Sequence, residues 1–425
     1  MKLTIHRGSR EIGGSCIELQ ALDSRILLDF GLPLLDENYQ PFDKNSIKSQ
    51  TTEDLIRLKV LPDIKGLYQH ETPLINGILI SHSHQDHYGL LSFVNPSTPI
   101  HMSKGCKELI RVSHFFGQTA CNLQNIVTIE PWTPFQINSF TVTPYLVDHS
   151  AFDALAFLIE GDGKRILYSG DFRGHGRKSI LFENILKHPP SDIDYLILEG
   201  TMIGRDKGEL ETELDIENEM ARLFNKNEKL FFVAFSSQNI DRIVSIYRAC
   251  LRSDRLFVID PYTAFILDNL GKFSSSLPQF DWRNIRVFFV PSSHTRQMAE
   301  DKNLFKFKSA KINYEEIQRF KNRAVLRDTY LTRKIFANKN DIRGSILIYS
   351  MWEGYLADIK PFWDSNGVPI KHVHTSGHAY IKELKKFVDA LKPKHIIPNH
   401  TLFPEAYREL FPNVMEVEDG QTVTL

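Results

Sequence analysis

His82-Ser83-His84-Gln85-Asp86-His87 places three imidazoles and a carboxylate within six residues, directly after the apolar run Ile78-Leu79-Ile80 and just before Tyr88-Gly89. The apolar run reads as a buried strand. A strand that ends in a turn crowded with nitrogen and oxygen donors presents a rigid set of metal ligands. Imidazole with carboxylate, and without thiolate, suits Zn²⁺, Mn²⁺ or Fe²⁺ rather than a structural cysteine site. A polar loop with chance histidines would account for one His pair, but poorly for His-x-His-x-Asp-His at a strand end.

Two metals need about seven or eight donors, so this turn alone cannot complete a binuclear site. Further donors stand where strands are expected to end. Val147-Asp148-His149 follows Phe140–Tyr145, Tyr168-Ser169-Gly170-Asp171 closes another apolar run, and His400 ends Ile396-Ile397. Taken singly, each reads equally well as a turn cap or a satisfied polar group.

Around these donors the first 200 residues carry short β-type runs, at Leu3–Ile5, Ser15–Leu19, Arg25–Phe30, Phe140–Thr143, Ala156–Glu160, Arg165–Tyr168 and Tyr195–Leu198. Gly161-Asp162-Gly163-Lys164 is a hairpin turn between two of them. A sheet-on-sheet core is expected. The pattern changes near Gly204. Leu210, Leu214, Ile216, Met220, Leu223 and Phe224 fit a helical stripe through an acidic stretch, and apolar strands at Leu230–Phe235, Leu256–Ile259, Val287–Val290 and Ile346–Tyr349 then alternate with helices such as Ile240–Leu251. That alternation predicts a parallel α/β domain. No repeat or linker sets it off, so it reads as an insertion at 204–370, leaving 1–203 and 371–425 as one domain.

Jointly the donors resemble the ordered signature of the metallo-β-lactamase superfamily, an αββα sandwich with a binuclear metal site along one edge of its sheets. The resemblance implies two Zn²⁺, with Mn²⁺ the alternative. The first ion takes His82, His84 and His149, the second takes Asp86, His87 and His400, and Asp171 bridges them with a hydroxide that serves as nucleophile. The insertion resembles the β-CASP branch, the nucleases that include ribonuclease J and the pre-mRNA 3′-end endonuclease. Residues carrying this likeness are Gly13-Gly14-Ser15-Cys16, Leu198-Glu199-Gly200-Thr201, Phe235-Ser236-Ser237-Gln238-Asn239-Ile240-Asp241-Arg242, Thr375-Ser376-Gly377-His378-Ala379 and Pro398-Asn399-His400.

By that resemblance His378 donates a proton to the leaving oxygen with Glu199 as its partner, Asp86 counts among the catalytic residues, and Ser376 and Gly377 contact a substrate phosphate. His372 and His374 alternate with Ser376 and are read as structural or substrate-facing, not as ligands. A His at the position of His400 goes with RNA-processing members. The expected activity is hydrolysis of single-stranded RNA in the cleft between sandwich and insert, endonucleolytic, 5′–3′ exonucleolytic or both. A DNA-directed nuclease and an inactive RNA-binding subunit are the alternatives. Glu199-Gly200-Thr201 lacks the Ser common in the family's acidic motif, and Ser350-Met351-Trp352-Glu353-Gly354 replaces a glycine-rich element, which puts a 5′-phosphate pocket in question. With 25 residues after His400, the sequence is expected to lack the extra C-terminal domain of ribonuclease J. The oligomeric state stays open between monomer and homodimer.

Composition narrows the class. With 425 residues, 42% hydrophobic and 24% charged, the chain is an ordinary globular protein of two or three domains. Cys16, Cys106, Cys121 and Cys250 form no C-x-x-C pair and suit a reducing compartment. Polar residues interrupt the N-terminus too early for a signal peptide, and no run reaches membrane-spanning length, so a cytoplasmic protein without membrane contact is expected. The net charge of −1 hides a basic block from Lys302 to Arg343, with twelve Lys/Arg against four Asp/Glu and Phe305, Phe307, Tyr314, Phe320, Tyr330 and Phe336 interleaved. Such a block either tracks a nucleic-acid backbone or forms amphipathic helices whose aromatics face the core.

Overall fold

Leu3 and Ile5 are fully buried on the strand Lys2–Arg7, while Lys2 between solvent and sheet is exposed. That alternation gives the sheet one face for a core, and the neighbouring strand Cys16–Ala21 is buried at all but one of its positions. The computed structural model describes residues 1–36, 40–205, 210–290 and 302–425. They form two compact units, Met1–Asp206 with Gly377–Leu425, and Lys207–Ser376.

The first unit holds two sheets. One has seven strands in the order Thr422–Thr424, Lys2–Arg7, Cys16–Ala21, Ser24–Leu28, Gly77–Leu79, Ile100–Ser103, Ile126–Ile129. The other has six, in the order His395–Asn399, Tyr195–Glu199, Lys164–Tyr168, Leu155–Gly161, Phe140–Leu146, Phe135–Ile137. Leu3, Ile17, Leu19, Phe157, Ile159 and Ile197 meet between them in one core. A second core covers the outer face of the first sheet with helix Lys104–Phe115, and a third covers the second sheet with helices Ser179–Lys187 and Ile381–Leu391. Helix, sheet, sheet, helix is the expected αββα order. The hairpin between Leu155–Gly161 and Lys164–Tyr168 turns at Asp162 and Gly163, both at positive φ (48° and 69°).

The second unit is a seven-stranded sheet whose pairs all run parallel, in the order Lys311–Ile312, Ile285–Phe288, Leu256–Ile259, Ala324–Arg327, Phe231–Ala234, Ile346–Tyr349, Ile370–His372. Helix Glu213–Lys226 precedes its strands in sequence, and helices Ile240–Arg252, Pro261–Leu270 and Tyr330–Asn338 lie between them. Two readings of the sequence change here. Ile370–His372 pairs with Ile346–Tyr349, so the chain leaves this unit after Ser376 and not at 370. In helix Glu213–Lys226, Leu214 is 57% exposed, while Glu213 and Glu217 are buried. Ile216, Met220, Leu223 and Phe224 are buried as the stripe expects, and arginines explain the two added glutamates: Glu213 meets Arg242, and Glu217 meets Arg248 and Arg252. Among the described residues, no helix is long and apolar enough to cross a membrane.

Candidate metal centre

The donors converge because strand ends converge. His82 and His84 lie just past Gly77–Leu79, and a single helical turn, Gln85–Tyr88, then carries Asp86 and His87 inward. His149 follows Phe140–Leu146, Asp171 follows Lys164–Tyr168 through Gly170, Glu199 ends its strand, and His400 follows His395–Asn399. Gly170 sits at φ +53°, and a Cβ there would lie 2.7 Å from the Leu155 carbonyl, so the sharp turn before Asp171 requires glycine. His400 itself holds φ +52°.

Four donor groups result, each with its ligand atoms within 4.8 Å of one another: His82, His84 and His149; Asp86, His87 and His400; His82, His87 and Asp171; and Asp171, Glu199, His378 and His400. His84 Nδ1 stands 3.0 Å from His82 Nε2 and 3.3 Å from His149 Nε2. Asp86 Oδ2 lies 3.3 Å from His400 Nε2 and 3.7 Å from His87 Nε2. Asp171 is central: its Oδ2 is 3.2 Å from His87 Nε2 and 3.7 Å from His82 Nε2, and its Oδ1 is 3.6 Å from His400 Nδ1. His378 Nδ1 is 3.5 Å from both Asp171 Oδ2 and Glu199 Oε1.

His82, His87, His149, Asp171, Glu199 and His400 are buried and His84, Asp86 and His378 partly so, and charge decides protonation. Burial alone would raise the Asp171 pKa, but His400, His87 and His378 outweigh it and hold the carboxyl well below the usual range. His87 is driven the other way; burial lowers it, yet Asp171, Asp29 and Asp86 raise it well above an ordinary imidazole. His82 and His149 are held neutral by burial and by neighbouring imidazoles, and burial brings His84 down to about 4. Neutral imidazole is the form that binds a cation. His378 is raised, against burial, by Glu199 and Asp171.

The donors fit divalent cations by a further sign. Both carboxylate oxygens of Asp171 and Nε2 of His87 are buried with no hydrogen-bond partner. A buried carboxylate without a hydrogen-bond donor is costly, and cations held between these groups would satisfy it.

Four residues outside the sequence-derived set support the ligands. Asp29, fully buried, has Oδ2 2.8 Å from His87 Nδ1 and accepts from Tyr168 Oη (2.6 Å) and from Ser81 Oγ (2.8 Å). Thr201 Oγ1 lies 2.9 Å from His400 Nδ1. The one signal for Asp29 in the sequence was a charged residue closing the run Ile26-Leu27-Leu28.

Other expectations fall elsewhere. Ser376 belongs to the second unit, and Gly377, with His378, to the first, where a Gly377 Cβ would lie 2.9 Å from Ser150 Oγ. His372 Nε2 lies 3.1 Å from the Met351 carbonyl and His374 Nδ1 3.2 Å from Arg242 Nη1; neither stands in a donor group. In the basic block, Phe307 and Phe336 are buried, whereas Phe305, Phe320 and Tyr330 are exposed. Lys306, Arg323, Arg327 and Arg333 face Asp268, Asp254, Asp260 and Asp328. Much of the block's charge is thus matched locally, which favours amphipathic packing over a continuous phosphate track. His294 lies outside the described residues.

Fold and donor geometry together define a metallo-hydrolase of the αββα type. The family profile described as "Beta-lactamase superfamily domain" matches residues 59–231, and that described as "Zn-dependent metallo-hydrolase RNA specificity domain" matches 368–411. Ribonuclease J of Mycoplasma genitalium is 21% identical over 420 residues, covering 95% of this chain and 68% of that protein. Cleavage and polyadenylation specificity factor subunit 3 of Dictyostelium discoideum is 21% identical over 446 residues, 94% of this chain and 53% of that one. A crystal structure of a protein of unknown function from Enterococcus faecalis V583 superposes over 100% of this chain and 99% of its own, with a TM-score of 0.80 and 21% identity. These similarities support a metallo-β-lactamase fold of the β-CASP nuclease type.

Proposed function

We propose that this chain is a metal-dependent ribonuclease that hydrolyses phosphodiester bonds of single-stranded RNA. The reading is carried by the convergence of His82, His84, His149, Asp86, His87 and His400 around Asp171. The match to an RNA specificity domain and the ribonuclease names of its relatives favour RNA over DNA.

His82, His84 and His149 would hold one ion, Asp86, His87 and His400 a second, and Asp171 would join them. Two Zn²⁺, or Mn²⁺ in their place, would neutralise the phosphate and bring a water's pKa toward neutrality. The chain's own groups do the rest. Asp29 fixes which nitrogen of His87 faces the centre. Glu199 keeps His378 protonated, so that its N–H can pass a proton to the departing sugar oxygen as the P–O bond breaks. Ser376 and the Gly377 backbone supply phosphate contacts. Stacked duplex would keep its bases from the site, so unpaired strands are the substrate.

The test is digestion of end-labelled RNA and matched DNA by the metal-loaded protein. A ladder indicates internal cutting, and immediate mononucleotide release indicates trimming from the 5′ end. Asp171→Asn should lose about a thousandfold or more in kcat, as expected for a group that serves both ions, while Arg327→Ala stays within a few-fold. Equal losses, or a metal-loaded protein that leaves several RNAs intact, would count against the reading.

A further inference from the structure

The glutamate that helix Glu213–Lys226 buries has its partner on helix Ile240–Arg252. Arg242 is fully buried. Its Nε and Nη2 reach Glu213 Oε2 and Oε1 at 3.2 and 3.0 Å. Nη1 donates to the Ser350 carbonyl (2.8 Å) and Ser350 Oγ (2.6 Å), and Nη2 to the Thr375 carbonyl (3.3 Å). Ser350 Oγ donates onward to the Val373 carbonyl at 2.6 Å, and Thr375 Oγ1 to the Glu211 carbonyl at 2.9 Å. One guanidinium therefore ties the segment by which the chain enters the second unit, Glu211–Glu213, to the segment by which it leaves, Val373–Thr375.

Stability is a weak reason for such a pair, since apolar side chains of similar volume often serve as well or better. An apolar pair cannot hold carbonyl oxygens at fixed places; a planar fork of five donors can, and a lysine cannot reproduce it. Beyond Thr375 the chain continues as Ser376, Gly377 and His378.

We infer that Arg242 is a positioning residue for His378: its buried fork anchors the backbone at Ser350 and Thr375, from which the chain runs directly to the imidazole. The inference rests on the reading of His378 as proton donor to the leaving oxygen. Its logic is that of any positioned acid, where a displacement of about 1 Å costs on the order of a hundredfold in rate.

The test compares two substrates. RNA has a poor leaving group that needs a proton; bis(4-nitrophenyl) phosphate has a good one that does not. Arg242→Lys should lower kcat on RNA by about 10- to 100-fold with KM and metal content little changed, and leave bis(4-nitrophenyl) phosphate hydrolysis within about twofold. Amides of Val373–Ser376 should exchange with solvent about tenfold faster, while the strands of the same unit keep their protection. In a His378→Ala background the substitution should cost nothing more on RNA. Equal losses on both substrates, unchanged exchange, or a further loss in that background would overturn the inference. Should Arg242→Lys fold poorly, Glu213→Gln, which removes the charge anchoring the fork, is held to the same outcomes. If His378→Ala itself affects both substrates alike, the reading of His378 fails, and the failure is seen separately from that of Arg242.

Discussion

Asp29 offers no atom to the proposed ligand set, yet it fixes the tautomer of His87: with Nδ1 engaged at 2.8 Å by the carboxylate, Nε2 is the nitrogen left to face Asp86 and Asp171. Tyr168 and Ser81 hold the carboxylate in turn, so the orientation is inherited from the strand Lys164–Tyr168 and from the segment that follows Gly77–Leu79. Partners of this kind are typically worth about 10- to 100-fold in metal affinity. Asp29→Ala should therefore weaken binding of the second ion by about that factor while the first is retained, as read by competition with a chromophoric chelator. Two sites of unchanged affinity would show that His87 needs no such partner. The clustered donors proposed as ligands were legible because imidazole and carboxylate stand at the ends of apolar runs, in order along the chain. Asp29 was not, since its role exists only once Ser24–Leu28 and Gly77–Leu79 pair side by side.

The short helix Gln85–Tyr88 cannot hold itself in place, and neighbouring segments brace it. Ser15 N donates to the Asp86 carbonyl (3.2 Å), Phe30 N to the His87 carbonyl (2.8 Å) and Leu32 N to the Gln85 carbonyl (2.9 Å). Gly31 lies against this turn so closely that an added Cβ would stand 1.6 Å from the Asp86 carbonyl oxygen. Gly31→Ala must push Asp86 and His87 away, and should cost about a hundredfold in kcat with the circular dichroism spectrum preserved. Gly344→Ala, at φ +79° with nothing within 4 Å, should cost only about 1 kcal/mol of stability and leave kcat unchanged. Gly31 gave no sign of this in the sequence; close approach between segments far apart in the chain is a tertiary fact. The burial of Glu213 in helix Glu213–Lys226 was hidden for the same reason, because an arginine on another helix decides that it faces inward. Strands fared better: Leu256–Ile259 and Ile346–Tyr349, and the helix Ile381–Leu391, stand where their apolar patterns put them.

Between the strand Ile100–Ser103 and the opposite sheet, His101 stacks on Phe135 with ring centroids 5.2 Å apart and planes 17° from parallel. Burial holds its pKa down to about 4, from 6.5. Between those values the unfolded chain binds a proton that the folded chain refuses, so stability is full above about pH 6.5 and falls as pH drops toward 4. The loss attributable to this group is on the order of 3 kcal/mol. His101→Phe should flatten that part of the stability–pH curve in urea titrations. A variant that loses stability between pH 6.5 and 4 as steeply as the parent would assign the acid sensitivity elsewhere.

At the scale of the molecule, every proposed ligand belongs to the first unit, although they come from both ends of the chain: His82 to Asp171 precede the second unit in sequence and His400 follows it. Metal binding therefore closes the first unit across the long excursion through Lys207–Ser376, and it can stabilise only the unit that contains the donors. A ligand that binds the folded state alone adds RT ln(1 + [L]/Kd), about 4 kcal/mol at a thousand times Kd. For a unit of this size that corresponds to an upward shift of the melting temperature by about 10 °C. Scanning calorimetry of the chelated and Zn²⁺-loaded protein should then separate two transitions, of which one moves by about that amount and the other stays. Asp171→Asn should reduce the mobile transition's shift and leave the second where it was. If both transitions move together with metal, the two units unfold as one and the assignment of all the stabilisation to the first is wrong; if neither moves, the donors do not bind Zn²⁺ tightly enough to serve as the centre proposed.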